Sequence, residues 1–309
     1  MKHLVSIKDL DIDSALSLLA SSQELALVNQ RQVKKLPTLR GKTVVNLFYE
    51  NSTRTRISFE IAAKRLSADV INFDASTSSL SKGESLKDTA LTLEALGADA
   101  IVMRHPMSGA AQRLASSDWI RGSVINAGDG SHEHPTQALL DALTMQQRLE
   151  LGANFAGLKV LIVGDILHSR VARSNIFLLN LLGAEVSVAG PDILVPIEIA
   201  ELGVTIHHDF DQALADRPNV VMMLRVQAER MSKDLFPSAS SYVKFWSLGG
   251  NRLAGLGPEV VIMHPGPMNR GFEISAEAAD DPRSAVLQQV TNGLAVRMAV
   301  LQTTLSGGN

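Results

Sequence analysis

The sequence predicts an α/β protein of two domains, each a parallel β-sheet flanked by helices. Two observations predict it. The chain has 309 residues, more than one hydrophobic core usually supports, so two domains of about 150 residues are expected. Short apolar runs rich in β-branched residues alternate with helical stretches along the whole chain. This alternation is typical of parallel sheets.

The predicted strands are nearly continuous apolar runs, as strands buried on both faces should be. In the first half of the chain they are 44–49, 69–73, 100–103 and 124–126. In the second half they are 159–165, 185–191, 204–207, 219–225 and 259–265. A helical run ends near residue 150 in a glycine-containing stretch, so we expect one domain over 1–150 and another over 151–284.

Composition excludes several classes of protein. Cysteine is absent, which removes disulfides, thiolate nucleophiles and cysteine metal ligands. The net charge of -3 gives no reason to expect nucleic acid. No run approaches the roughly 18 apolar residues of a membrane span, and Asp9, Asp11 and Asp13 interrupt the place where a signal peptide is apolar. We therefore expect a cytoplasmic protein that binds neither nucleic acid nor membrane.

Polar clusters follow six of the predicted strands. They are FYENSTRTR (48–56), MRHP (103–106), NAGDGSHEHPTQ (126–137), GDILHSR (164–170), LRVQAER (224–230) and MHPGPMNRG (263–271). Ligands of open parallel sheets bind outside the carboxyl ends of the strands. The six clusters are therefore expected to face one cleft between the two domains.

The cluster FYENSTRTR predicts an anion site at a helix start. Ser52 or Thr53 can cap the helix that follows, leaving early N–H groups directed outward. Arg54 and Arg56 oppose the helix dipole there unless an anion is bound. The alternative is a capped helix with a solvated basic first turn. A phosphate is the natural candidate for the anion.

Arg104 and His134 extend this prediction to a carbonyl group. His134 precedes a proline suited to the first turn of a helix, and Gln137 follows within one turn. An imidazole there can donate a hydrogen bond to a developing oxyanion. Alone, Arg104 is more typical of a surface ion pair and His134 of a capping or core-edge residue. Their combination with the preceding cluster favours a shared ligand.

Arg170, Arg225 and Gln227 form a second polar group in the other half of the sequence. Two guanidiniums can each hold a carboxylate by paired hydrogen bonds, whereas intradomain salt bridges are the alternative. GDILHSR lacks the GxGxxG spacing of dinucleotide loops. His132 and His134 lie two apart without further ligands at zinc spacing. We therefore predict no metal and no cofactor.

The order of STRTR, SLSKGES, MRHP, HPTQ, a GD…R loop, LRVQ and HPGP resembles the aspartate/ornithine carbamoyltransferase family over almost the full chain. RVQ together with HPGP resembles its aspartate branch, since the ornithine branch carries a cysteine-containing HCLP-type motif. The resemblance implies transfer of the carbamoyl group of carbamoyl phosphate to the amine of L-aspartate. The products are N-carbamoyl-L-aspartate and phosphate, in an early step of de novo pyrimidine biosynthesis. It also implies an active site in the cleft between the domains.

The resemblance also implies roles for individual residues. The catalytic residues would be Arg54, Thr55, Arg104 and His134. Carbamoyl phosphate would be bound by Ser52, Thr53, Arg54, Thr55, Arg104, His134, Gln137, Gly266 and Pro267. L-Aspartate would be bound by Lys82, Arg170, Arg225 and Gln227. Ser81 and Lys82 would enter from the neighbouring subunit of a homotrimer.

Assembly and alternative functions follow from the same resemblance. The C-terminal helix, about 285–309, is expected to pack back on the first domain, which binds carbamoyl phosphate, while the second binds aspartate. A separate regulatory chain or a dihydroorotase-like partner is possible in this family. One alternative function is carbamoyl transfer to another amine, against which Arg225 and Gln227 argue. Another is a non-catalytic paralogue that scaffolds a pyrimidine-pathway complex, although an inactive copy would be expected to lose some of the arginines and the histidine.

Overall fold

The chain contains two compact units, each built on one all-parallel sheet. The computed structural model describes residues 1–74, 84–226 and 238–306. The first unit comprises Met1–Leu140 and Thr291–Asn309, and the second comprises Asp141–Val290. The prediction of two parallel-sheet α/β domains is confirmed.

The first unit has a four-stranded sheet in the order β2-β1-β3-β4. Its strands are β1 (Thr43–Phe48), β2 (Asp69–Asp74), β3 (Ala100–His105) and β4 (Ser123–Asp129). The helices that begin in this unit are α1 (Ile12–Val28), α2 (Thr53–Arg65), α3 (Leu86–Ala95), α4 (Ala110–Ala115) and α5 (Pro135–Arg148). A short 3-10 turn, Ile7–Asp9, precedes them.

Three strands of this sheet, β2, β3 and β4, extend beyond the carboxyl ends of the apolar runs that predict them, whereas β1 ends one residue earlier than predicted. β4 is buried along its whole length and continues to Asp129, which is paired with His105 of β3. Polar residues therefore belong to the ends of these strands, because parallel pairing continues beyond the apolar core. That core includes Leu47, Met103 and Val124.

The second unit has a five-stranded sheet in the order β7-β6-β5-β8-β9. Its strands are β5 (Lys159–Val163), β6 (Glu185–Ala189), β7 (Thr205–His207), β8 (Val220–Met223) and β9 (Val261–Met263). Its helices are α6 (Arg170–Leu181), α7 (Phe210–Ala215), α8 (Ala239–Trp246), α9 (Gly250–Gly255) and α10 (Ala276–Ala279), followed by the start of α11 (Val286–Ser306). Two 3-10 segments, Asp192–Leu194 and Ile197–Leu202, lie between β6 and β7.

The strands of the second unit are shorter than the apolar runs that predict them. β8 ends at Met223 and β9 at Met263, so Leu224 and His264 already belong to the loops. Both residues are nevertheless buried. Burial of these loop residues explains why the sequence pattern continues past the end of the pairing.

The C-terminal part of α11 packs within the first unit. The Arg297 guanidinium donates to Ser58 Oγ at 2.6 Å and lies 5.2 Å from the centroid of the Phe59 ring. Ser123 Oγ donates to the carbonyl of Thr304 at 3.1 Å. Within the described part of the chain, no helix is both long and apolar enough to cross a membrane.

Candidate functional site

Three of the polar clusters lie at one edge of the first unit's sheet. β1, β3 and β4 are adjacent, with Phe48 paired to Arg104 and Met103 paired to Asn126. Their carboxyl ends therefore place the loop before α2, the Arg104 side chain and the 126–137 segment next to one another.

The first turn of α2 is basic and lacks a side-chain cap. Ser52 is the N-cap residue, and its carbonyl accepts from Arg56 N at 3.1 Å, but its hydroxyl makes no capping hydrogen bond. Ser85 and Ser169, in the same position before α3 and α6, do cap their helices, at 3.2 and 3.1 Å. The first turn of α2 contains no acidic residue. The side-chain cap considered for Ser52 is therefore absent, and the N–H groups of this turn point to a place that suits an anion.

Thr53 and Arg54 are exposed on this turn, whereas Thr55 is buried. Partial desolvation lowers the pKa of Arg54 from its ordinary value, although a guanidinium stays charged at neutral pH. The helix start thus combines a fixed positive charge, directed N–H groups and hydroxyls. This combination is suited to a phosphate.

Arg104 reaches from β3 toward both neighbouring clusters. Its Nη1 donates to the carbonyl of Ala127 at 3.3 Å, and its Nε lies 3.3 Å from Glu50 Oε2. The ion pair is largely buried, with the two side chains 15% and 22% exposed. Sequence reasoning missed Glu50, although it stands inside the FYENSTRTR motif. An anion that binds Arg104 must compete with this carboxylate.

His105 follows Arg104 but differs from it in charge. Burial lowers the pKa of the His105 imidazole, which is therefore neutral at pH 7. Its Nδ1 accepts from Met107 N at 2.9 Å, and its ring centroid lies 4.5 Å from that of Tyr49. His105 therefore shapes the end of β3 without adding charge to it.

Asp129 organises the loop that leads to His134. Its carboxylate is buried and accepts from Gly109 N at 2.7 Å, from Asn126 Nδ2 at 2.8 Å and from Glu133 N at 3.2 Å. Two of these partners lie within the same segment, but the contact with Gly109, twenty residues away, was not predictable from the local sequence.

Glu133 ties the same loop to the N-terminal 3-10 turn. Its carboxylate accepts from Ile7 N at 2.9 Å and forms a short hydrogen bond with Ser6 Oγ. Residue 133 is fully buried. Two buried carboxylates, Asp129 and Glu133, thus fix the backbone immediately before His134.

His134 lies directly before α5, where its carbonyl accepts from Gln137 N at 2.9 Å. Both side chains are buried. The His134 carbonyl thus accepts one of the first hydrogen bonds of α5, which agrees with the capping interpretation. The imidazole belongs to the residue directly before the helix. The structure therefore brings His134 and Gln137 together on one turn.

The second unit gathers its own three clusters in the same way. β5, β8 and β9 are adjacent, and the clusters follow their carboxyl ends. Arg170 is the first residue of α6 and is buried, while Arg225 lies two residues beyond β8 and is half-buried. The segments that follow the neighbouring strands β5 and β8 therefore each contain one of these arginines. Gln227 lies outside the described residues.

A fully buried carboxylate supports the loop before Arg170. Asp165 Oδ1 accepts from His168 N at 3.1 Å and lies 2.9 Å from His168 Nδ1. Ser169 then caps α6. The GDILHSR motif thus forms a hydrogen-bonded turn that leads from β5 into α6, whose first residue is Arg170.

The HPGP segment after β9 forms a tight, internally bonded loop. Gly266 N donates to His264 Nδ1 at 2.8 Å, and His264 Nε2 lies 3.2 Å from Glu273 Oε1. Asn269 N donates to the same Glu273 oxygen at 2.6 Å. The loop backbone, including Gly266 and the following Pro267, is thereby held from within the unit.

Ser81 and Lys82 lie outside the described residues, as does the rest of 75–83. Among the residues that are described, no group of three or more histidine, aspartate or glutamate side chains is arranged to hold a metal ion.

The two halves of the chain match two domain models of one protein family. Residues 2–147 match the carbamoyl-phosphate-binding domain model of the aspartate/ornithine carbamoyltransferases. Residues 156–304 match the Asp/Orn-binding domain model of the same family. The two matches coincide with the two halves in which the clusters were found.

Individual relatives extend over the whole chain. The aspartate carbamoyltransferase catalytic subunit of Kineococcus radiotolerans is 61% identical over 312 residues, covering 99% of this chain and 98% of the relative. The Trypanosoma cruzi aspartate transcarbamoylase in complex with carbamoyl aspartate and phosphate is similar with a TM-score of 0.84 at 31% identity, covering 98% and 96% of the two chains. The ornithine carbamoyltransferase of Pyrococcus furiosus is similar with a TM-score of 0.85 at 28% identity, covering 100% of this chain and 98% of that structure. The chain belongs to the aspartate/ornithine carbamoyltransferase family.

Proposed function

We propose that this chain transfers the carbamoyl group of carbamoyl phosphate to the amine of L-aspartate. The observation that supports the proposal is that the segments after the neighbouring strands β5 and β8, in the Asp/Orn-binding half, contain Arg170 and Arg225. Two guanidiniums suit a dicarboxylate acceptor and repel a cationic side chain such as that of ornithine. The high identity to relatives named aspartate carbamoyltransferase supports the same acceptor.

The phosphate group occupies the start of α2 in this proposal. Ser52, Thr53, Arg54 and Thr55 surround it with hydroxyls, N–H groups and one guanidinium. Arg104 adds a second positive charge from the end of β3. Stabilising the charge of the leaving phosphate lowers the barrier to its departure.

The carbonyl oxygen is polarised by Thr55, Arg104 and His134. These donors stabilise the negative charge that develops on the oxygen when the amine attacks. Gln137 and the backbone carbonyls of Gly266 and Pro267 hold the carbamoyl amide.

The acceptor is bound by Arg170, Arg225 and Gln227, with Lys82 as a further contact. The neutral amine forms a bond to the carbonyl carbon, and the bond from that carbon to the phosphate oxygen breaks. The amine loses one proton, which the departing phosphate can accept. Because both substrates are bound side by side, the reaction no longer depends on their collision in solution. This proximity accounts for much of the rate enhancement.

The assembly that completes this site is a homotrimer in which Ser81 and Lys82 act in the neighbouring subunit. Analytical ultracentrifugation should give a species of three times the chain mass of 33.2 kDa. Mixing inactive Lys82→Ala and His134→Ala chains should restore part of the activity, because some sites then contain neither change. Failure to restore activity after subunit exchange would remove the shared site. A regulatory chain, a dihydroorotase-like partner and a cytoplasmic location stay predictions.

Product analysis tests the proposed reaction directly. Purified chain is incubated with 13C-labelled carbamoyl phosphate and L-aspartate, and carbon NMR follows the label. We expect N-carbamoyl-L-aspartate and phosphate in equal amounts. Binding of carbamoyl phosphate without this product would contradict the proposal and would favour the non-catalytic paralogue.

A further inference from the structure

A buried carboxylate lies behind the HPGP loop in the second unit. Asp141 is on α5 and has no exposed surface. Its Oδ1 accepts from Gln289 Nε2 at 2.7 Å, and its Oδ2 accepts from Asn175 Nδ2 at 2.9 Å. Both oxygens of this side chain accept, so the Gln289 and Asn175 amides each present their nitrogen to it.

This constraint fixes which way the Gln289 amide faces. With Nε2 held by Asp141, its Oε1 faces the loop and accepts from His264 N at 3.0 Å. Gln289 is itself buried. If the amide turned over, Nε2 would face the His264 N–H, and one buried donor would lose its acceptor. By fixing the Gln289 amide, Asp141 therefore provides the His264 N–H with its hydrogen-bond acceptor.

The next links run from His264 into the loop. His264 Nδ1 accepts from Gly266 N at 2.8 Å, so the ring proton of the neutral imidazole is on Nε2. Nε2 then donates to Glu273 Oε1 at 3.2 Å, and Glu273 also accepts from Asn269 N at 2.6 Å. Asp141, through Gln289, thus fixes the His264 backbone where the loop begins. Glu273 fixes the His264 ring and the Asn269 N–H further along.

We propose that Asp141 is a positioning residue for carbamoyl recognition, acting through Gln289 and His264 on the Gly266 and Pro267 carbonyls. The proposal rests on the proposed function, in which these carbonyls bind the carbamoyl amide. Asp141 does not contact the substrate. Its effect is therefore restricted to ligands that carry an N–H for these carbonyls, which gives it a specific signature.

Two stable ligands separate this role from general destabilisation. Phosphonoacetamide carries the amide, and 2-oxopropylphosphonate replaces the NH2 group with a methyl of similar size. We expect the unaltered chain to bind the amide about 10- to 30-fold more tightly by calorimetry, the value of about two hydrogen bonds. Asp141→Asn is nearly isosteric but lets the Gln289 amide turn over. It should reduce that preference about fivefold or more and leave the methyl ketone affinity within about twofold.

Further variants keep the test decisive. Gln289→Met removes the link without changing Asp141 and should lower the preference in the same way, which covers the case in which Asp141→Asn fails to fold. Asn180→Ala is the control, because it removes a partly buried amide hydrogen bond to the carbonyl of Leu202 in the same unit, outside the chain of bonds that leads to the loop. It should keep the full preference.

The outcomes are distinguishable. An unchanged preference in Asp141→Asn and Gln289→Met would overturn the positioning role. Equal weakening of both ligands would also overturn it, since that result shows only a structural role. If the unaltered chain binds neither ligand, or does not prefer the amide, the proposed carbamoyl site fails and the inference fails with it.

Discussion

Arg54 and Arg56 occupy the same turn of α2, but only Arg54 is assigned to the phosphate. Motifs of this kind are readable from sequence, because a basic, hydroxyl-rich helix start is chemically unusual within a few residues. The hydrogen-bonding roles of Asp129, Glu133 and Asp141 cannot be predicted from the sequence in the same way. Glu133 pairs with a backbone N–H 126 residues away, and no local pattern marks such a partner.

Arg54→Ala should lower kcat by about 100- to 1,000-fold, the range for loss of one oriented donor to a developing charge. The fold should be retained, because Arg54 is exposed and its charge opposes the helix dipole by about 1 kcal/mol or less. Arg56→Ala removes the same charge from the same turn and serves as the control. Steady-state kinetics and thermal melting check both variants. Near-normal turnover in Arg54→Ala would remove its phosphate role.

Glu133→Ala should destabilise the first unit by about 2 kcal/mol, because it leaves the buried Ile7 N–H and Ser6 hydroxyl without their acceptor. Ser6→Ala keeps the hydrogen bond from Ile7 N to Glu133 and removes the Ser6 Oγ bonds to Glu133 and Lys8 N. It leaves no buried N–H of Ile7 without an acceptor and should cost less. Urea unfolding followed by fluorescence measures the difference. Equal stability of Glu133→Ala and the unaltered chain would show that the N-terminal turn does not fix this loop.

At the scale of elements, α2 is supported by α11 from a distant part of the chain. Arg297 is buried, donates to Ser58 Oγ and lies over the Phe59 ring. Ser58 Oγ in turn donates to the Thr55 carbonyl at 3.0 Å. The sequence predicted both helices, but it did not predict which of their residues meet, because helical periodicity gives a face and no partner.

Arg297→Met should destabilise the first unit by about 2 to 3 kcal/mol through loss of the hydrogen bond and the cation–π contact. Ser58→Ala keeps the contact with the ring and should cost about 1 kcal/mol. Denaturant midpoints of the two variants give the comparison. Equal costs would mean that the contact with Phe59 contributes nothing.

Arg283 joins the loop before α11 to the end of α9. Arg283 donates to Asp281 and to the carbonyls of Leu256 and Leu253, at 2.9 and 3.1 Å. The hydrogen bond from Arg283 lowers the pKa of Asp281 from 3.8 to about 2. The folded state therefore has the lower pKa, so the stabilisation is present above pH 3.8 and is lost as pH falls through about 2.

Arg283→Met should raise the pKa of Asp281 toward its ordinary value, and carboxyl carbon NMR measures it. Asp280 is the internal control, because its pKa is lowered by the hydrogen bond from Arg270 and should stay low in this variant. An Asp281 carboxyl that titrates with the same pKa in both proteins would contradict the pairing.

At the scale of the whole molecule, length and the alternation of strands and helices were sufficient to predict two parallel sheets. They do not show where one unit gives way to the other, because α5 and α11 each begin in one unit and end in the other. Both helices continue without interruption through the boundary, and Thr291, Asn292 and Gly293 lie inside α11 without ending it. The predicted cleft and homotrimer depend on relations between units and between chains, and they stay predictions.

The identity of the amine acceptor is the central claim about the whole molecule. The ornithine enzyme of Pyrococcus furiosus has a TM-score of 0.85 to this chain, so the fold alone does not separate the acceptors. In the proposed site, the charges of Arg170 and Arg225 favour a dicarboxylate acceptor over a cationic one. The most direct measurement is kcat/KM for L-aspartate, L-ornithine and N-acetyl-L-ornithine with one enzyme preparation and saturating carbamoyl phosphate. The account predicts carbamoylation of L-aspartate at least about 1,000-fold above the others, since buried polar groups left unpaired cost that much. Comparable rates with ornithine or its acetylated form, or no product with L-aspartate, would contradict it.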